Sequence, residues 1–297
     1  MKTKITTPGH SLAGLAWVGA LLLMAGSADA QNLFVADYNT QDIYEITPGG
    51  SQSVFASGLN YPGGIAFNSM GDLFVANTAQ NAIPAQGSIT EIAPNGTQST
   101  FVSGIDPQVV VFNSTGDLFE ADYRSGNIYE YTPGGVRSTF ASGFTTPIGL
   151  VFDSTGNLFV GSGYGNGNGI ITKITPGGMQ STFASGLNFP GGFAFNSAGD
   201  LFACDSGGSI YEFTPGGVRS TFASVAGPDS LAFNNAGNLF VSTHTGPIIE
   251  ITPGGTESTF MSETGITVGL AFQPVPEPST VALIGLGVGA LIIRRRK

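Results

Sequence analysis

His244, in the phrase STHTG, is the single histidine after residue 30; the other, His10, lies near the N-terminus. A loop imidazole can serve as a general acid or base near neutral pH. No second histidine, nucleophile motif or metal-spaced Cys/His set accompanies it, so His244 is a candidate for catalysis without the partners that catalysis needs. Carboxylates recur in register: Asp37, Asp122 and Asp205 end three of six similar phrases, and Asn77, Ser162 and Thr243 end the other three. Such a series invites a divalent-cation hypothesis. The simpler chemistry is an Asx turn, in which each carboxylate accepts from backbone N–H groups of the residues that follow it. The stretch GYGNGNG (163–169) has the glycines of a phosphate loop but lacks the Lys-Ser/Thr that would follow, and it reads as a flexible loop.

Other residues could hold a ligand rather than transform it. Tyr38, Tyr123 and Tyr164 lie just beyond the same phrases, Arg124 follows Tyr123, and Asn77 and Asp229 add an amide and a carboxylate. Tyrosine and arginine are enriched at contact sites. Overall charge narrows the partner. Between residues 31 and 273 only Arg124, Arg137, Lys173 and Arg219 are basic, against 18 carboxylates, a balance that repels phosphate backbones and excludes nucleic acid. Cys204 is the only cysteine, so no intrachain disulfide exists, and LFACD marks it as a small buried residue.

These side chains must be positioned by the elements between them. Six Leu-Phe pairs follow Asn32, Asp72, Asp117, Asn157, Asp200 and Asn238, at spacings of 40, 45, 40, 43 and 38 residues. Each copy runs through LFVAD, IYEITPGG, STFASGL and PGGIAFNSxG or variants. Four short apolar phrases per period of about 40 residues predict the four strands of a propeller blade. TPGG and NSxG supply proline, asparagine and glycine for the connecting turns. The first copy has no PGGIAF phrase before it, and the last copy ends at GLAF with no Leu-Phe phrase after it. Each end supplies what the other lacks. Strand 268–272 is therefore expected to pair with strand 32–37, giving an all-β, six-bladed β-propeller over residues 31–273 without exposed ends. The loops 77–87 and 162–169 are the longest after the LFVAD phrase.

Both termini read as addresses. Residues 1–30 carry Lys2 and Lys4, an apolar middle and Ala28-Asp29-Ala30, the pattern of a secretory signal peptide with an apolar helix. Residues 274–297 hold Pro276-Glu277-Pro278, an apolar run at 281–293 and then Arg294, Arg295, Arg296 and Lys297. A helix of that run would extend ~20 Å, short of the ~30 Å hydrocarbon core, which suits a transient anchor better than a permanent span. The three parts closely resemble the PEP-CTERM sorting signal. That resemblance implies an exosortase-type membrane enzyme as partner, membrane contact through the C-terminal helix, and delivery to the cell envelope or extracellular matrix of a Gram-negative bacterium.

Residues 32–272 also resemble the NHL-repeat propellers, whose repeats read P-x-G-I-A-x-D-x-x-G-x-L-Y-V-A-D followed by I-x-x-x-x-P-x-G. The resemblance implies that PGGIAF is the innermost strand, with the ligand face formed by the loops entering it and leaving LFVAD. The inner mouth then reads Gly63, Gln108, Ile148, Gly191, Asp229 and Val268, flanked by Tyr38, Tyr61, Tyr123, Tyr164 and Phe189. The strand bearing Asp37, Asp122 and Asp205 would lie one ~4.8 Å spacing further out, too far for the three to share one ion. No metal set or cofactor is assigned. The leading reading is an exported, non-catalytic propeller that binds an envelope polysaccharide or protein through Tyr38, Asn77, Tyr123, Arg124, Tyr164 and Asp229. The alternative is a lyase or hydrolase, similar to streptogramin lyases or gluconolactonases, using His244 and a divalent cation.

Overall fold

The structure, a computed structural model, describes residues 31–78, 86–165, 167–244, 246–262 and 265–274. The expected signal segment, the sorting signal beyond Pro274 and most of the loop 77–87 lie outside the described residues. The described chain forms six four-stranded antiparallel sheets, numbered here as blades 1–6 in ring order.

Burial follows the phrases. The second strand of each blade, such as Leu33–Asp37 in blade 1, is buried at every position because neighbouring blades cover both its faces. The outermost strands, such as Arg137–Ser142 in blade 3, start with three exposed residues and meet the core only near their ends. Phenylalanine joins blade to blade. Phe34 packs edge-on against Phe55 of its own blade and Phe67 of the next, with ring centres 4.9 Å away in both cases. The same arrangement recurs at Phe74, Phe119, Phe159, Phe202 and Phe240, with ring centres 4.9–5.3 Å from their partners. Each edge-to-face pair contributes about 0.5–1.5 kcal/mol beyond the area it buries.

Closure occurs as the two incomplete copies require. The last strand, Thr267–Phe272, is the innermost strand of blade 1 and pairs antiparallel with Leu33–Asp37, with Leu33 opposite Phe272 and Val35 opposite Leu270. Beyond the strands, Gln273 N donates to Asn32 O at 3.1 Å and Gln31 Nε2 donates to Gln273 O at 2.8 Å. The inner strands of blades 2–6 are Pro62–Phe67, Pro107–Phe112, Gly149–Phe152, Phe193–Phe195 and Pro228–Phe233. They line the axis, and their N-terminal ends open on the same face as the C-terminal ends of the second strands.

Candidate functional site

The recurrent aspartates organise this face without forming a shared site. In each, one carboxylate oxygen caps the turn that follows: Asp37 Oδ1 accepts from Asn39 and Thr40 N–H, Asp122 Oδ1 from Ser125, and Asp205 Oδ1 from Gly207. The other oxygen reaches the loop entering the innermost strand of the same blade. Asp37 Oδ2 accepts from Gly265 N at 2.9 Å, Asp122 Oδ2 from Asp106 N at 3.1 Å, and Asp205 Oδ2 from Asn188 N at 2.7 Å. The three carboxylates are thus clasps between neighbouring loops. Among the described residues, no group of three or more His, Cys, Asp or Glu stands close enough together to hold a metal ion.

A cavity of about 450 Å³ occupies the axis beneath these loops, a size suited to a small ligand or a few units of a polymer. Tyr38, Gln108, Tyr123, Phe189, Asp229 and His244 are among its walls. Two aromatic pairs stand at its rim. Tyr38 and Tyr61 have ring centres 4.9 Å apart, and Tyr164 meets Phe189 edge-on at 5.2 Å. Burial is the main influence pushing the Tyr38 phenol above its ordinary range, with nearby Tyr61 adding to it. Tyr61 and Phe189 precede prolines and hold positive φ of 52° and 51°, a conformation costly for bulky side chains.

Asp229 and His244 face each other, with Nδ1 to Oδ2 at 3.2 Å. Asp229 enters the inner strand of blade 6 and His244 leaves the second strand of the same blade. Asp229 Oδ2 is buried, and desolvation pushes the carboxyl up to about 6, His244 opposing that rise. His244 is open to solvent over 63% of its side chain. A carboxylate backing an exposed imidazole can orient it for proton transfer or present both groups to a ligand hydroxyl.

The sequence candidates fall into distinct roles. Tyr38, Tyr123, Asp229 and His244 meet at the cavity, and Tyr164 stands 70% exposed beside it. Asn77 is buried, accepting from Asn60 N and donating to Thr90 Oγ1, and serves its own blade. Arg124 is a clamp: its Nε donates to Asp106 Oδ2 at 2.7 Å, on a carboxylate with 4% of its side chain exposed. Arg124, read from the sequence as a ligand-holding candidate, thus carries a structural contact as well. The pairings Asp229–His244 and Asp106–Arg124 were not legible in advance. Their signal is the shared alignment of one residue entering an inner strand and one leaving the second strand of the same copy.

One buried titratable group escaped the sequence reading altogether. Glu120 replaces the valine of LFVAD in blade 3 and lies fully buried, where the Tyr131 hydroxyl donates to its Oε2 at 3.0 Å. Burial pushes Glu120 up to about 8, with Asp122 adding to the rise. Its signal was in the sequence, as LFEAD among LFVAD and its variants.

Comparison with known proteins divides the chain. Residues 274–297 match the family model described as the PEP-CTERM protein-sorting motif. That motif implies recognition by an exosortase-type enzyme and an exported protein anchored or processed at the membrane. No helix among the described residues is long and apolar enough to cross a membrane. No curated protein matches the chain in sequence. The propeller is similar to a gluconolactonase from Xanthomonas campestris, at 14% identity and TM-score 0.64, covering 84% of this chain and 93% of that one. It is also similar to virginiamycin B lyase from Staphylococcus aureus, at 14% identity and TM-score 0.58, covering 78% of this chain and 80% of that one. At such identities the likeness is one of fold.

Proposed function

We propose that the chain is an exported β-propeller of the cell envelope that binds a ligand over the mouth of its axial cavity without transforming it. Its C-terminal signal delivers it, and the propeller does the binding. The observation that carries this reading is the cavity of about 450 Å³, whose rim gathers two aromatic pairs, with Tyr38 and Phe189 standing next to the Asp37 and Asp205 clasps. Rigid loops bearing aromatic side chains bind at low entropic cost.

A second reading rests on the Asp229–His244 contact at 3.2 Å, which suits acid–base chemistry on a lactone or ester. The two are separated by co-sedimenting the purified full chain with insoluble envelope polysaccharide while assaying lactone and ester cleavage. Retention that Tyr123→Ala weakens, without turnover, supports binding. Turnover that His244→Ala abolishes supports the enzyme and overturns the proposal.

A further inference from the structure

The six inner strands meet in ring order and close, so positions three blades apart lie across the mouth from each other. Read in that way, the mouth has an approximate half-turn symmetry. Gly63 of blade 2 lies across from Gly191 of blade 5, within the phrases NYPGG (60–64) and NFPGG (188–192). Gln108 of blade 3 lies across from Asp229 of blade 6, and Val268 of blade 1 from Ile148 of blade 4. The aromatic pairs obey the same relation. Tyr38 leaves blade 1 and meets Tyr61 entering blade 2; Tyr164 leaves blade 4 and meets Phe189 entering blade 5. Gly63 and Gly191 both line the cavity, each beside one aromatic pair, and the stretch between the pairs is the slot; a Cβ would find room at Gly191 but would press on the Gln108 carbonyl at Gly63. Gln108 stands on one long side, and Asp229 with His244 on the other.

We infer that this slot, as the site of the binding proposed above, takes a linear neutral oligosaccharide lying across the mouth, its outer rings stacked on the two aromatic pairs. A pyranose ring offers an apolar C–H face to an aromatic ring and hydroxyls at its edge. Those hydroxyls match the Gln108 amide, which both donates and accepts, and the accepting oxygens of Asp229. Asp229 Oδ2 is buried beside the His244 ring, and the quarter of the Asp229 side chain that is exposed, with the open His244 imidazole, forms the polar edge facing those hydroxyls. Uronate and phosphorylated chains are disfavoured by Asp229 and by 18 carboxylates against four basic residues in 31–273. An extended peptide would need recessed pockets for alternate side chains; the slot offers flat rings at its ends and polar groups along its length.

The test is calorimetric titration of the purified full chain with neutral glucan and mannan tetrasaccharides, an oligouronate of equal length and an extended peptide library. A neutral tetrasaccharide should bind, and Tyr38→Ala and Tyr164→Ala should each weaken it about three- to tenfold while the cooperative melt is retained and lowered only slightly by loss of the ring pair. Gly191→Leu should abolish binding by filling the slot. A methyl at Gly191 would have only ordinary van der Waals contact, with Ile148 and the Asp229 carbonyl oxygen, so Gly191→Ala is the milder variant should the leucine perturb folding. Sensitivity to only one of the two tyrosines would overturn the crossing pose. Preference for the uronate or a peptide would overturn the ligand class while leaving a binding mouth. Failure of the whole panel overturns the oligosaccharide; the mouth reading falls with it only if Tyr123→Ala also leaves polymer retention unchanged.

Discussion

The hydroxyl of Tyr131 donates to Oε2 of Glu120 at 3.0 Å, while Glu120 Oε1 is buried without a hydrogen-bond partner. In blade 1 the corresponding positions are Val35 and Ile46, both buried and apolar. Blade 3 thus contains a polar pair where another blade has hydrocarbon, and its protonation couples to folding.

The pH dependence follows from the direction of that shift. Folding raises Glu120 from 4.5 to about 8, so the folded state holds a proton that the unfolded chain releases. Its stabilising influence is complete below about pH 4.5 and is lost as pH rises towards 8, a total on the order of 5 kcal/mol. Thermal melts should show wild type losing stability across that window, and Glu120→Val combined with Tyr131→Ile should flatten the profile. A double variant with the wild-type profile would place the titration elsewhere.

Arg124→Ala leaves the nearly buried Asp106 carboxylate without its ion partner. Because the Arg124 side chain is about a third exposed, the expected loss at pH 7 is about 1–3 kcal/mol, below that of a fully buried pair. Adding Asp106→Asn should recover part of it. Denaturant melts of the two single variants and the double variant measure the coupling, and an additive result would deny it.

Deleting residues 268–273 removes the strand partner of Leu33–Asp37 and opens an edge on blade 1. Light scattering should show aggregation at concentrations where the complete chain is monodisperse. Retained solubility and unchanged amide protection at residues 33–36 would mean that closure contributes little.

Replacing Pro276, Glu277 and Pro278 by alanine alters the sorting motif beyond the end of the described propeller. Melting should shift by less than about 0.5 kcal/mol equivalent, as expected for a surface change. In a host with an exosortase-type enzyme, tail processing followed by immunoblot should stop. Normal processing would remove the motif's assigned role.

The repeat architecture was legible in sequence because its determinants are local. Period, alternation and turn residues act within a few positions, as when Asp37 Oδ1 accepts from Asn39 and Thr40. The unmatched phrases at 32–37 and 268–272 even predicted their distant pairing, since an unpaired strand edge is costly. The sorting motif was readable for another reason: its three parts lie in order along the chain.

Only the tertiary structure decided what those elements bring together. Asp37 Oδ2 binds Gly265, 228 residues away, while Tyr38 meets Tyr61 from the next copy. These contacts depend on ring radius, strand tilt and the positive φ of Tyr61, which no local pattern specifies. Glu120 was visible as a letter out of place, but its ionisation depends on the low-dielectric space between blades that folding creates. The opposition of Gly63 to Gly191 likewise exists only once six blades close, because ring closure sets which loops face each other.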